Sequence, residues 1–183
     1  GITEAGAFGY SIHPMYAISS KYESFKELDR AFFTVEGHDR YADSICKVIN
    51  ALGNDCVRIQ GTDKVKYHAA SVFASNLVTG LLAVSQDLLM QCGFTHEEAG
   101  RAIEPLFLGN ARAAAAKGPV ESLTGPIERC DTGTVQKHLA VLTGNELAAY
   151  KAVSRCLVNV ASRKHPDKDY TDLIQVLDGI GEL

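Results

Sequence analysis

The sequence has no tryptophan, no Cys-x-x-Cys pair and no excess of basic residues. Its five cysteines, Cys46, Cys56, Cys92, Cys130 and Cys156, are scattered along 183 residues. That scatter argues against a zinc ribbon and a disulfide framework, and fits a reducing, cytoplasmic compartment. With 18 Lys and Arg against 22 Asp and Glu, the formal net charge is −4. No basic surface points to nucleic acid, and no run of like charge forms a tail. The start, Gly1-Ile2-Thr3-Glu4, lacks the basic stretch and apolar run of a signal peptide. Catalytic signatures are missing too. No Gly-x-Gly-x-x-Gly follows a strand; Gly6-Ala7-Phe8-Gly9 has the wrong spacing and precedes a strand instead. There is no Walker-type loop, no His-Glu-x-x-His and no Gly-x-Ser-x-Gly, and the six histidines show no metal-ligand spacing. An unbroken apolar run is also absent. Ala69 to Met90 comes nearest, but Ser71, Ser75, Asn76, Thr79, Gln86 and Asp87 interrupt it. It reads as a buried helix of a soluble protein, not a membrane span.

What remains is a chain with 46% hydrophobic residues, enough for a packed core. Two regimes meet near Gly61. Before it the pattern is α/β. Tyr10-Ser11-Ile12 reads as a short strand stopped by Pro14, and Phe32-Phe33-Thr34-Val35 as a second strand. Ala42, Ile45, Val48, Ile49 and Leu52 recur at helical spacing, and Cys56-Val57-Arg58-Ile59 reads as a third strand. Strand, helix and strand within about 30 residues is the length of a βαβ unit. After Gly61 the pattern is helical. Asp63 to Gln91 reads as one helix of roughly 40 Å, ended by Gly93. Thr95 with Glu98, and Thr143 with Glu146, read as capping boxes opening later helices. Pro105 predicts a kink in the first of these, and Gly118-Pro119 its end. Further helices are expected near Thr134 to Leu142, from Thr143 to about Arg163, and near Tyr170 to Leu177, the last closed by Gly179.

The most informative pattern lies on the long helix. Taking Lys64 as zero and about 100° per residue, His68, Ser71, Ser75 and Thr79 all fall within about 60° of it. This polar stripe lines a ligand pocket, or its hydroxyls bond back to the helix and permit close packing. His13-Pro14 follows the first strand, at the carboxyl end where open α/β sheets bind ligands. The loop from Leu123 to Thr134 carries Gly125, Asp131 and Gly133 and runs into a helix N-terminus. Either that terminus takes an anion such as a substrate carboxylate, or Asp131 or Thr132 simply caps it. His138, one turn in, reads as a solvated histidine.

Three segments carry a family resemblance. They are Ser11-Ile12-His13-Pro14-Met15, the stretch Lys64-x-x-Tyr67-His68-Ala69-Ala70-x-Val72-Phe73-Ala74-Ser75-Asn76, and Leu123-Thr124-Gly125-Pro126-Ile127-x-Arg129-x-Asp131-x-Gly133-Thr134-Val135-x-x-His138-Leu139. Together, over roughly Tyr10 to Leu142, they resemble a bacterial family of Rossmann-like NADP oxidoreductases with a helical C-terminal domain of unknown function. Its plan is similar to that of pyrroline-5-carboxylate reductase, ketopantoate reductase and prephenate dehydrogenase. Its helical part resembles the C-terminal domain of 6-phosphogluconate dehydrogenase. The resemblance implies a mainly α chain: a C-terminal remnant of a Rossmann-like α/β domain over residues 1–60, then an all-helical dimerisation and substrate domain over 61–183. It implies NADP or NAD as cofactor, a homodimer, and a small carbonyl, imine or hydroxy-acid substrate, with no nucleic acid or membrane partner. It implies Lys64 and His68 as catalytic, and His13, Asn76, Thr124, Asp131 and Thr134 as substrate contacts. The missing fingerprint departs from the family pattern. The chain is therefore expected to be the C-terminal portion of such an enzyme, without tight dinucleotide binding of its own. The alternative is a non-catalytic dimeric helical domain for ligand binding or interaction.

Overall fold

The computed structural model describes residues 4–179. Gly1, Ile2 and Thr3, at the start read above as lacking a signal peptide, lie outside them. The chain is mainly helical with one small sheet, in the order β1 (Tyr10–Met15), β2 (Phe32–Gly37), α1 (Asp39–Ala51), β3 (Cys56–Arg58), α2 (Lys64–Ala74), α3 (Asn76–Gln91), α4 (His96–Ser122), α5 (Pro126–Arg129), α6 (Thr132–Val141), α7 (Gly144–Lys164) and α8 (Thr171–Asp178). It forms two compact units, one ending at Leu81 and the other beginning at Leu82. This division does not coincide with the change of residue pattern near Gly61.

In the first unit the strand order is β1-β2-β3. β2 and β3 are parallel and joined by α1, as the spacing predicted. β1 is antiparallel to β2 and runs straight through Pro14 to Met15, so Pro14 does not stop it. The hydrogen-bond pattern explains this. Phe33 N–H donates to Asp55 O at 2.8 Å, and Ile59 N–H to Val35 O at 2.9 Å. Phe33 and Val35 therefore turn their backbone groups toward β3. Their β1 partners Pro14 and Ile12 turn theirs to the outer edge, where a missing N–H breaks no ladder bond.

Side chains alternate across this sheet. Val35 is fully buried against Ala42 and Ile49 of α1, with Ile45, Cys46 and Cys56 half-buried around them. Val48 and Leu52 remain exposed. They lie about 100° round the helix from Ala42 and Ile49, so the expected apolar face is wider than the sheet covers. The scattered spacing of the cysteines hid one pairing: Cys46 of α1 and Cys56 of β3 touch, sulfur to sulfur, at 2.8 Å.

The single long helix expected from Asp63 to Gln91 is two. Ser75, at φ −130° and ψ −84°, separates α2 from α3. Neither helix holds a buried residue within the chain, against the expectation of a buried helix. Ser71 Oγ donates to Tyr67 O at 3.3 Å and Ser75 Oγ to Ser71 O at 2.7 Å. Two adjacent side chains bonding back one turn compete with the helical ladder just where it breaks.

The second unit has its core among α5 to α8. Ile127, Val135, Val158, Ala161, Tyr170, Leu173 and Leu177 are buried together. Gly93, at φ +95°, turns the chain after α3. The Thr95–Glu98 capping box is complete: Thr95 Oγ1 accepts from Glu98 N–H at 3.2 Å and Glu98 accepts from Thr95 N–H at 2.9 Å. Those bonds from Thr95 hold the Glu98 carboxyl below its ordinary range. Thr143 caps α7 by position only. Its side chain makes no cap bond, and Glu146 instead accepts from Gln91 Nε2 at 3.2 Å. Pro105 leaves the dihedrals of α4 helical; the one break is at Gly118, φ +82°. α8 is closed by Gly179 at φ +76°, as expected.

Candidate functional site

The sheet face turned away from α1 carries polar residues. Ser11 pairs across the ladder with Glu36, and His13 with Thr34. All four side chains share that face by the two-residue period of the strands. His13 thus sits inside an antiparallel edge strand, not at the carboxyl end of a parallel one as its sequence suggested. After β3 the chain turns through a 3-10 segment, Gly61–Asp63, into α2. The first turn of α2 brings Lys64, Tyr67 and His68 to one side, at the i, i+3, i+4 spacing of a helix face. Sheet face and helix face enclose a cavity of about 380 Å³ lined by Ser11, His13, Thr34, Glu36, Lys64, Tyr67 and His68, with apolar contributions from Ile59 and Val65. That volume falls within the range of small-molecule pockets.

Two contacts organise its wall. Lys64 Nζ donates to Glu36 Oε2 at 2.8 Å. The two side chains are 51% and 27% exposed, so the pair contributes at most about 1 kcal/mol and is easily exchanged for another anion. Gly61 lies against the same carboxylate; a Cβ there would sit 3.3 Å from Glu36 Oε1. His13 Nδ1 and Tyr67 Oη are 2.7 Å apart, the rings edge to face at 5.7 Å and 88°.

Lys64, His68 and His13, chosen from sequence, therefore do come together. Tyr67 was passed over, although an angle of about −60° from Lys64 places it on the same face; aromatic residues on helices default to core. Glu36 and Thr34 hid in a strand. Ser71, Ser75 and Thr79, predicted to continue the stripe, do not line the cavity. The break at Ser75 ends the angular progression, and both serines bond back to α2. Asn76 opens α3, and its Oδ1 accepts from Ser75 Oγ at 3.1 Å.

Thr124, Asp131 and Thr134 belong to the second unit. Thr124 is exposed in the turn between α4 and α5. Asp131 caps α6, accepting from Thr134 N–H at 2.9 Å and Thr134 Oγ1 at 2.8 Å. The bonds from Thr134 hold its carboxyl below the ordinary range. Capping accounts for these two residues. His138 is not a solvated histidine: it is half-buried, with Nδ1 2.8 Å from Tyr150 Oη. Burial pushes the Tyr150 phenol upward. Glu128 meets His165 Nε2 at 2.6 Å, and that bond holds the Glu128 carboxyl low.

Among the described residues no group of three or more His, Cys, Asp or Glu is placed to hold a metal ion.

Among solved structures, the chain is similar to protein TM1727 from Thermotoga maritima, with 27% identity and a TM-score of 0.71 over 85% of this chain and 62% of that one. It also shares its fold with putative NADP oxidoreductase BF3122 from Bacteroides fragilis, with 22% identity and a TM-score of 0.62 over 81% and 56%. The chain thus spans less than two thirds of either protein. No curated protein matches it. The model of the domain of unknown function DUF2520 matches residues 31–156, and the chain belongs to that family.

Proposed function

We propose that this chain is the C-terminal portion of an NAD(P)-dependent oxidoreductase acting on a small carbonyl, imine or hydroxy-acid substrate. The observation that carries the reading is the cavity between sheet and α2, where Lys64, His68 and the His13–Tyr67 pair converge. The shared fold with a protein described as an NADP oxidoreductase supports it. On this reading β2, α1 and β3 are the last part of a Rossmann-like domain.

Among the described residues, no glycine-rich turn leads from a strand into a helix to cradle a dinucleotide. Glycine-rich Gly6–Gly9 precedes β1 and opens no helix. The cofactor's phosphates therefore fall to the part of the relatives' plan that this chain does not span. Bound NADP or NAD would supply the hydride. These side chains supply binding and the proton. Lys64 or His68 donates to the oxygen or nitrogen anion that develops on the substrate. A substrate carboxylate displaces Glu36 from Lys64, and His13 orients the substrate from the sheet. Asn76 is a further substrate contact in this proposal.

The proposed enzyme is a cytoplasmic homodimer. One stretch, Gly61–Gln91, is long and apolar enough to cross a membrane by length and composition, and no residue of its apolar window is fully buried in the single chain. A second copy of the chain is the proposed cover. The polar edge of α2 and the break at Ser75 suit a protein interface better than hydrocarbon, where freed backbone groups go unsatisfied. That exposed surface also favours the second reading, a dimeric helical binding domain without chemistry.

The test is the Lys64→Met change in the full-length protein. Turnover is expected to fall by about 10²–10⁴-fold, with NADPH affinity by fluorescence titration nearly unchanged. Undiminished turnover rejects the role of Lys64. Failure of the unaltered full-length protein to bind NADPH or NADH favours the binding domain.

A further inference from the structure

We propose that Cys46 and Cys56 form a redox modification site, closed to a disulfide by a hydroperoxide. The two thiols come from different elements, the middle of α1 and the first residue of β3. Their sulfurs stand 2.8 Å apart. Closure to a disulfide needs roughly 0.8 Å of further approach. Both residues are half-buried, not sealed. A cavity of about 260 Å³ opens beside Cys56, whose sulfur touches that of Cys46; Asn50, Asn54, Asp55 and Gly53 also line it. A peroxide needs only a small fraction of that space. The other three cysteines have no such neighbour: Cys92 and Cys156 are exposed, and Cys130 donates to Asp169 O at 3.6 Å.

The chemistry balances without further components. The Cys46 thiolate attacks one peroxide oxygen; the O–O bond breaks and hydroxide leaves, taking up the Cys46 proton as water. Cys46 is then a sulfenic acid. The Cys56 sulfur attacks the Cys46 sulfur; the S–O bond breaks and a second water leaves with the Cys56 proton. Two thiols are oxidised and one peroxide is reduced to two waters. Burial, with the hydrogen bond to Cys46, pushes the Cys56 thiol up to about 12. Cys56 therefore holds its proton at neutral pH and serves as the resolving thiol, contact distance making up for a low thiolate fraction. The bond would staple α1 to the strand that leads, through Ile59 and Gly61, into the wall of the candidate cavity.

The experiment treats the native protein with hydrogen peroxide, alkylates the remaining thiols, and digests with trypsin. Cleavage after Arg40, Lys47 and Arg58 puts the two cysteines on separate peptides, 41–47 and 48–58. The expected product is those peptides joined, short of two hydrogens, and separated again by dithiothreitol. In Cys56→Ser the joined product disappears, and Cys46 is recovered as sulfenic acid or its trapped adduct. If that variant does not fold, the unaltered protein decides alone. Full alkylation of both Cys46 and Cys56 after Cys92 and Cys156 have been oxidised overturns the proposal. So does linkage of either residue to a cysteine of another chain instead.

Discussion

Helices α5 to α8 and helices α2 to α3 are both rich in apolar residues, yet they dispose of them in opposite ways. In the first group Val135, Leu173 and Leu177 are fully buried and Ile127, Val158 and Tyr170 nearly so. In the second, no residue is buried, and Val65 and Phe73 stand 81% and 69% exposed. The difference is one of pattern. α8 concentrates Leu173 and Leu177 one turn apart on a single face, which a few neighbours can cover. α3 spreads Leu77, Val78, Leu81, Leu82, Val84, Leu88 and Leu89 over an arc of about 160°, which needs more neighbours than the two-residue face of α8. An apolar face this broad needs more cover than the described residues supply.

Four changes test this contrast, from the largest effect downward. Leu173→Ala should destabilise the second unit by about 2–5 kcal/mol, the cost of a lost side chain plus a cavity, read from urea unfolding. A loss within the scatter of surface changes would mean that the α5–α8 core is not where stability resides. Phe73→Asp should leave the helical circular dichroism intact while shifting gel filtration from twice the chain mass to one. An unshifted elution volume removes α2 from the proposed dimer interface. Thr95→Ala should cost about 1 kcal/mol, whereas Thr143→Ala should cost only a few tenths, because Thr143 makes no side-chain cap bond. Equal losses would contradict the difference between the two caps.

The smallest effect is on pH. Glu98 and Asp131 have folded-state carboxyls held below their ordinary values by cap bonds. Their contribution is complete above the unfolded values and is lost as pH falls through the lower folded ones. Melting temperature should therefore begin to fall near about pH 4. Asp131→Asn should flatten part of that fall; an identical acid limb would show that its cap contributes nothing.

The sequence made some of this readable and hid the rest for identifiable reasons. β2, α1 and β3 followed from spacing because β2 and α1 each bury one face and Cys56 of β3 packs against it, and burial imposes a period. The Thr95 box formed because both partners lie in one turn. Pro14 misled because the cost of a missing N–H depends on which way that residue's backbone faces, and this is set by pairing with β2. The polar stripe failed beyond His68 because Ser71 and Ser75 bond back to α2 and because extrapolating about 100° per residue past Ser75 assumes an unbroken helix. Lys64, His68 and His13 were legible as chemistry-bearing residues, but Glu36, the anion on Lys64, came from a strand 28 residues earlier. No local rule joins them. His138 was read as solvated because its partner Tyr150 lies on the following helix.

Pro14 has one more consequence. The outer border of β1 offers no donor at that position, so the sheet is blunt on that side and resists templated growth there. The far border, along Cys56, Val57 and Arg58, carries no proline. Lateral extension of this sheet by an added strand is thereby made directional, favoured along β3 over β1.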